Sequence, residues 1–276
     1  MKGHLAVLTN DRHQVFQRAV IAGAQEVADA RGCELAVLEV PQGPADLAEA
    51  GVTAGTYAGI LVVATALPDA LLHALADTGR PLTLVSHRLS DADIPSVMHD
   101  NPQGMKQLVR HLVEDCGRRN LLFIRGDARQ TDAFEREAAF RHEAMRYGLY
   151  VGEERYLPGA FEAEHAARAL EAFLEAGRPA DGATVDGIVS ADYLMAIAAM
   201  EVLRATGQRV PQDVAVVGFG DGPEAAQAGL TTVAADVVEL GRRAGRQLLG
   251  QLDGLRIRGQ TRLSTTLIAR DSSCRG

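Results

Sequence analysis

Polar and charged residues collect at the ends of short apolar runs in this chain, where they could hold a bound molecule. The groups are Thr9-Asn10-Asp11, Ser86-His87-Arg88, His99-Asp100, Arg125-Gly126-Asp127, Ser190-Ala191-Asp192 and Gly220-Asp221. In open α/β sheets ligands sit beyond the carboxyl ends of strands, so these are the positions where binding chemistry is expected. Capping the next helix or closing a turn is the competing role for each, since Asn, Asp and Ser favour both.

No group of residues in the sequence demands catalysis, a cofactor or a metal. Gly218-Phe219-Gly220-Asp221-Gly222 lacks the G-x-G-x-x-G spacing. The short stretch from Pro223 to Gly229 leaves too little helix to hold a pyrophosphate. The eight histidines form no H-E-x-x-H and no His/Cys cluster at ligand spacing. His111 and His142-Glu143 fall in helical segments and are expected at the surface. No G-x-S-x-G elbow is present. The charge-dense stretch from Asp132 to Glu143 reads as a solvated helix face with i,i+4 ion pairs. A binding protein, not an enzyme, is expected.

The elements that would position these residues alternate almost from end to end. Strand-like runs rich in Val, Leu and Ile are His4 to Leu8, Glu34 to Val40, Gly59 to Ala64, Pro81 to Ser86, Asn120 to Arg125, Thr184 to Ser190 and Asp213 to Phe219. They lack strict alternation, as parallel strands covered on both faces do. Between them lie helical stripes. One is Phe16, Val20, Gly23 and Val27, ended by Gly32. Another is Met105, Leu108, Val109, Leu112 and Val113, opened by Asn101-Pro102 as cap and first turn and followed by Gly117. Two more are Ala163, Ala167, Leu170 and Leu174, and Val237, Leu240, Ala244 and Leu248. The alternation predicts α/β architecture with doubly wound parallel sheets. So many strands suit two lobes better than one very wide sheet.

Composition narrows the partners. A formal net charge of −8 over 276 residues argues against a nucleic-acid surface within this chain. Cys33, Cys116 and Cys274 have no metal-type spacing and leave an odd thiol in any disulfide scheme. A reducing, cytoplasmic setting is therefore expected. No apolar run reaches membrane-spanning length, and the start shows no export signal.

The run Val210-Pro211-Gln212-Asp213-Val214-Ala215-Val216-Val217-Gly218-Phe219 closely resembles a signature of the lactose-repressor (LacI) family. Leu230-Thr231-Thr232-Val233, then Glu239 to Ala244, then Leu267 to Cys274 match further family elements in order. Upstream, Ile94 to Asp100-Asn101 with Gly104, His111-Leu112, Gly117-Arg118-Arg119, Arg136 with Phe140, and Ala191-Asp192 through Glu201 and Gly207 also match. The resemblance implies two doubly wound parallel-sheet α/β lobes of the periplasmic-binding-protein-like type I kind, with a ligand cleft between them. Residues 1–117 plus 235–258 would form one lobe, and 118–234 plus 259–276 the other. It implies a small-molecule effector, a sugar or related metabolite, whose binding shifts a hinge and dimer arrangement. DNA would be reached only through a helix-turn-helix domain not present in this chain. A similar sensor domain of a diguanylate cyclase or histidine kinase is the alternative.

Residue by residue, the resemblance makes Arg136 an effector contact through its guanidinium fork. It makes Asp100 a cleft aspartate, Phe161 a stacking aromatic, and Asn10 and Phe16 contacts from the first strand-end loop. For Phe16 and Phe161 ordinary packing stays an open alternative. Asp192 and Asp221 complete the expected ligand set. Ala191 and Gly220 stand where the family has an asparagine and an aspartate, which points to a less polar or differently shaped effector. An effector-contacting Arg136 predicts that Arg136→Ala weakens binding and leaves folding nearly unchanged.

Overall fold

The computed structural model describes residues 3–40, 52, 55–177 and 184–274. The first unit comprises β1 (His4–Thr9), α1 (Val15–Ala30), β2 (Glu34–Glu39), β3 (Gly59–Val63), α2 (Asp69–Asp77), β4 (Leu82–Val85) and β5 (Ser96–His99). The second begins with α3 (Asn101–Arg110), which runs into a π-helical turn (His111–Asp115). There follow β6 (Leu121–Arg125), α4 (Thr131–Arg146), β7 (Tyr156–Pro158), α5 (Ala163–Glu175), β8 (Gly187–Ser190), α6 (Tyr193–Ala205), β9 (Ala215–Phe219), α7 (Pro223–Ala228) and β10 (Thr231–Ala234). The chain then returns to the first unit with α8 (Val237–Leu252) and β11 (Gln260–Leu263), and closes the second with β12 (Thr266–Ile268).

The expectation of two α/β lobes is borne out, and their boundaries differ from those expected. One unit takes Met1–His99 with Asp236–Leu263, the other Asp100–Ala235 with Ser264–Gly276. Helix α3 leaves the first group because Met105, Leu108 and Val109 are buried in one core with β6, β8 and β9. Strand β11 joins the first group because it pairs in parallel with β5, from Gln260 beside Ser96 to Leu263 beside His99.

The first sheet has the order β11-β5-β4-β3-β1-β2 and is parallel at every pairing. Successive β1 side chains enter opposite cores, as the two-residue period of a strand requires. Leu5 and Val7 face α1 and α8, whereas Ala6 and Leu8 join Leu72 and Leu75 of α2. Gly23 of α1 and Gly241 of α8 let these two helices meet backbone to backbone. A Cβ on Gly241 would lie 2.0 Å from the Val20 carbonyl oxygen, and one on Gly23 would lie 2.0 Å from that of Val238.

The second sheet has the order β12-β10-β9-β8-β6-β7. Its edge strand β12 runs antiparallel to β10, a departure from the all-parallel expectation. The three cysteines resolve into one pair and one odd thiol. The segment after β12 brings Cys274 beside the end of the π-helical turn, where it forms a disulfide with Cys116 across a Cα separation of 5.3 Å. Cys33 stays free. Among the described residues no helix is long and apolar enough to cross a membrane.

The reciprocal glycine contact leaves no room for a side chain. Gly241→Val should destabilise the fold by about 1–3 kcal/mol through overpacking, read as a lower urea midpoint. Unchanged stability would show that the two helices can separate freely.

Candidate functional site

The strand order of the second sheet reverses between β6 and β8, because β7 lies on one side of β6 and all later strands lie on the other. At such a switch point the loops leaving the two strands diverge and open a crevice. Here those loops begin at Arg125-Gly126 after β6 and at Ala191-Asp192 after β8.

Arg136, in the second turn of α4, is only 7% exposed. Its Nε donates to Asn101 Oδ1 at 2.8 Å and its Nη1 to the Ala191 carbonyl at 2.8 Å. Its guanidinium carbon sits 3.8 Å from the centre of the Phe219 ring and 5.9 Å from that of Phe161. Burial pushes the guanidinium below its usual range, and the carboxylates of Asp132, Asp192 and Glu135 oppose that shift. The Phe219 ring can lie this deep because position 104 of α3 is glycine. A Cβ there would meet the ring at 2.4 Å.

Asn101 is fully buried and works on both sides. Its Oδ1 takes the Arg136 bond, and its Nδ2 donates to Asp132 Oδ1 at 2.8 Å and to Glu135 Oε2 at 3.0 Å. The helix cap therefore falls one residue earlier than the sequence suggests. Asp100 is the N-cap of α3, accepting from the Gln103 amide at 3.1 Å, which releases the Asn101 side chain for the arginine. Asp132 and Glu143 are buried as well, so the charge-dense stretch of α4 is not the solvated face its composition implies. Asp132 lies 3.5 Å from Arg136 Nη2, one turn away.

The remaining expected residues divide by position. Asp192 lies at the same switch point and caps α6, its Oδ1 accepting from the amides of Leu194 at 2.7 Å and Met195 at 3.3 Å. Burial pushes its carboxyl above the usual range, against those amide bonds and the nearby Arg136. Phe161 packs its ring against Gly126, where a Cβ would come within 2.3 Å. It follows Ala160 in a left-handed pair, with φ of 54° and 61°. Such conformations are costly for side-chain-bearing residues and concentrate at binding sites.

Asp221 is engaged by a different arginine. Its two oxygens accept from Arg270 Nη1 at 2.7 Å and Nη2 at 3.0 Å, and Oδ1 also accepts from Thr232 Oγ1 at 2.8 Å. The pair ties the end of β9 to β10 and to the segment after β12. In the first unit, Asn10 is exposed and accepts from Gln17 Nε2 at 3.1 Å. Phe16 is half-buried against the core shared by α1 and α8. Ser86, at the end of β4, is left-handed with φ of 54° and 3% exposed. Its hydroxyl has no partner among the described residues.

Sequence reasoning therefore named Arg136 and missed what holds it: Asn101, Asp132 and Phe219. The i,i+4 spacing of Asp132 and Arg136 was the visible signal. The Asn101 role depends on a cap shifted by one residue. Likewise His111, expected at the surface, is 2% exposed.

Two outcomes follow from these contacts. Arg136→Ala strands Asn101, Asp132 and the Ala191 carbonyl, so it should cost about 3–5 kcal/mol of stability in urea unfolding. Near-wild-type folding, as the sequence alone suggested, would contradict the buried node. For Asp221, burial raises the carboxyl, but Arg270 and Thr232 together hold it below its ordinary 3.8. Its folded value thus lies below its unfolded one, and the pair stabilises above 3.8 and weakens as pH falls through the folded value. Asp221→Asn should cost about 1.5–3 kcal/mol at neutral pH, with the difference from wild type shrinking in acid. A constant difference at all pH values would sink this reading.

The periplasmic binding protein-like domain family matches residues 109–273. The transcriptional regulator CelR of Thermobifida fusca is 29% identical over 249 residues, 87% of this chain and 70% of that protein. The repressor PurR of Erwinia tasmaniensis is 30% identical over 79% of this chain, which spans 64% of it. Among solved structures, the lac repressor dimer bound to operator and an anti-inducer superposes with a TM-score of 0.87 at 21% identity, over 99% of this chain and 94% of that one. A CelR–cellobiose complex superposes with a TM-score of 0.84 at 25% identity, over 99% of this chain and 85% of that one. The order of the matched motifs, the two sheets and these likenesses agree, and the chain belongs to the periplasmic binding protein-like family as an effector-binding domain of the LacI type.

Proposed function

We propose that this chain binds a small polar metabolite at the strand-end loops around Arg136. Binding would favour one of two arrangements of a homodimer, and a helix-turn-helix domain outside these residues would read the change. The observation that carries this reading is a buried arginine at a topological switch point, flanked by the strained Phe161 and by Asp192. Regulation of transcription places the protein in the cytoplasm.

Phe161 supplies the stacking face, and Arg136 and Asp192 the polar anchors. Asp100, through its half-exposed carboxylate, and Asn10 and Phe16 of the first unit are kept as proposed contacts. Asp221 acts through Arg270, holding the end of β9 in place, not as a direct contact. No reaction is proposed, because Asp192 already serves the helix amides and Asp132 serves Asn101.

The cellobiose complex of CelR makes carbohydrates the first class to test. Ala191 and Gly220 remove two polar groups, so the preferred effector should carry fewer hydroxyls on the faces they would have met. A thermal-shift panel of disaccharides, monosaccharides, purines and organic acids addresses this. A ligand at a hundredfold excess over Kd stabilises by about 2.7 kcal/mol, a rise of roughly 5–10 °C for a chain of this size. One compound class should give a saturable rise that Phe161→Ala weakens at least tenfold. If no class does so, the effector reading fails.

A further inference from the structure

Away from the strand-end loops, the second unit brings together three side chains that bind soft metals. His111 Nε2 and the sulfurs of Cys116 and Cys274 all lie within 4.8 Å of one another. The π-helical turn is what aligns the first two. Residues five apart on an α-helix point roughly 140° apart, whereas the wider turn, closed by the Cys116 amide on the His111 carbonyl at 3.1 Å, returns Cys116 to the side of His111. His111 Nε2 then stands 3.5 Å from Cys116 Sγ.

We propose that this cluster is a thiol site with two forms: a disulfide, and a reduced form that binds one zinc-class cation through Cys116, Cys274 and His111. A tetrahedral zinc with Zn–S near 2.3 Å and Zn–N near 2.0–2.1 Å has an S···N edge of roughly 3.5 Å. The His111–Cys116 separation already equals that edge. The other ring nitrogen, Nδ1, is 2.9 Å from Asp115 Oδ2, the carboxylate–histidine arrangement that fixes the orientation of a metal-binding ring. Ser273 Oγ, 2.8 Å from Nε2, or a water, offers an oxygen for the fourth corner.

The chemistry balances through an external dithiol reductant. It gives two electrons and two protons to the Cys116–Cys274 bond and leaves as its own disulfide. The two thiols release their protons to solvent as the cation binds. In the return step an external low-molecular-weight disulfide takes two electrons from the two thiolates and leaves as two thiols with two protons from solvent, while the Cys116–Cys274 bond forms again and the cation is released.

The test uses the whole chain, prepared reduced without air and separately oxidised, with each form verified by intact mass. Cobalt(II) is added as the probe. The reduced protein should take one cobalt per chain, with the intense visible bands of a tetrahedral thiolate site, bleached by one equivalent of zinc. The oxidised protein should give none. Asp115→Asn, at a largely solvent-facing side chain that leaves the core intact, should weaken cobalt binding about 10- to 100-fold. Colourless reduced protein would overturn the site. Equal uptake by the oxidised chain, or an affinity unmoved by Asp115→Asn, would place the metal elsewhere and overturn it too.

Discussion

A guanidinium removed from water must be met by oxygens fixed in place before it arrives, and in the second unit that requirement falls on Arg136. Losing hydration costs several kcal/mol for an ion. The loss is offset by a side-chain carbonyl from α3, a backbone carbonyl after β8 and carboxylates from its own helix. The face of the Phe219 ring adds a cation–π contact. Each partner comes from a different segment, so one side chain draws together α3, α4 and the ends of β8 and β9. Gly104 is part of the same solution, since any side chain there would push the ring away from the cation.

This arrangement also gives meaning to a departure from the family pattern. At position 191, where the resemblance implies an asparagine, stands a fully buried alanine, and the group used there is the backbone carbonyl that accepts from Arg136. The arginine thus has two of its donors committed within the protein. In the proposed function an effector would meet a pre-positioned cation with narrow remaining capacity, and binding would need little reorganisation.

Most of the fold was legible in the sequence because each central strand is a short apolar run and each helix a stripe. The runs His4 to Leu8 and Gly59 to Ala64 became neighbouring strands of the first sheet, and Asn120 to Arg125 and Thr184 to Ser190 neighbouring strands of the second. The edges were less legible. Strands β11 and β12 are four and three residues long, half-exposed, and defined by pairing across large sequence separations. The boundary expected at residue 117, which divides the alternation into comparable halves, keeps α3 with the strand before it. The side chains of α3 instead face the second sheet, and no periodicity within α3 says which sheet it will cover.

The site was legible as residue types and illegible as roles. Arg136 was identified, but its burial reversed the expected effect of removing it. Asn101 read as a cap because its neighbour is proline, and Asp100 took that role. His111, Cys116 and Cys274 lack any recognisable spacing, and only the π-helical turn and the return of the chain after β12 bring them together.

The central claim is that Arg136 and Asn101 act as one coupled unit and not as two separate contributors to stability. A double-mutant cycle in urea unfolding measures this directly, using Asn101→Leu, Arg136→Met and the pair. The structure predicts a coupling of about 1–3 kcal/mol, with the double variant more stable than the sum of the single losses implies. Strict additivity would contradict the account.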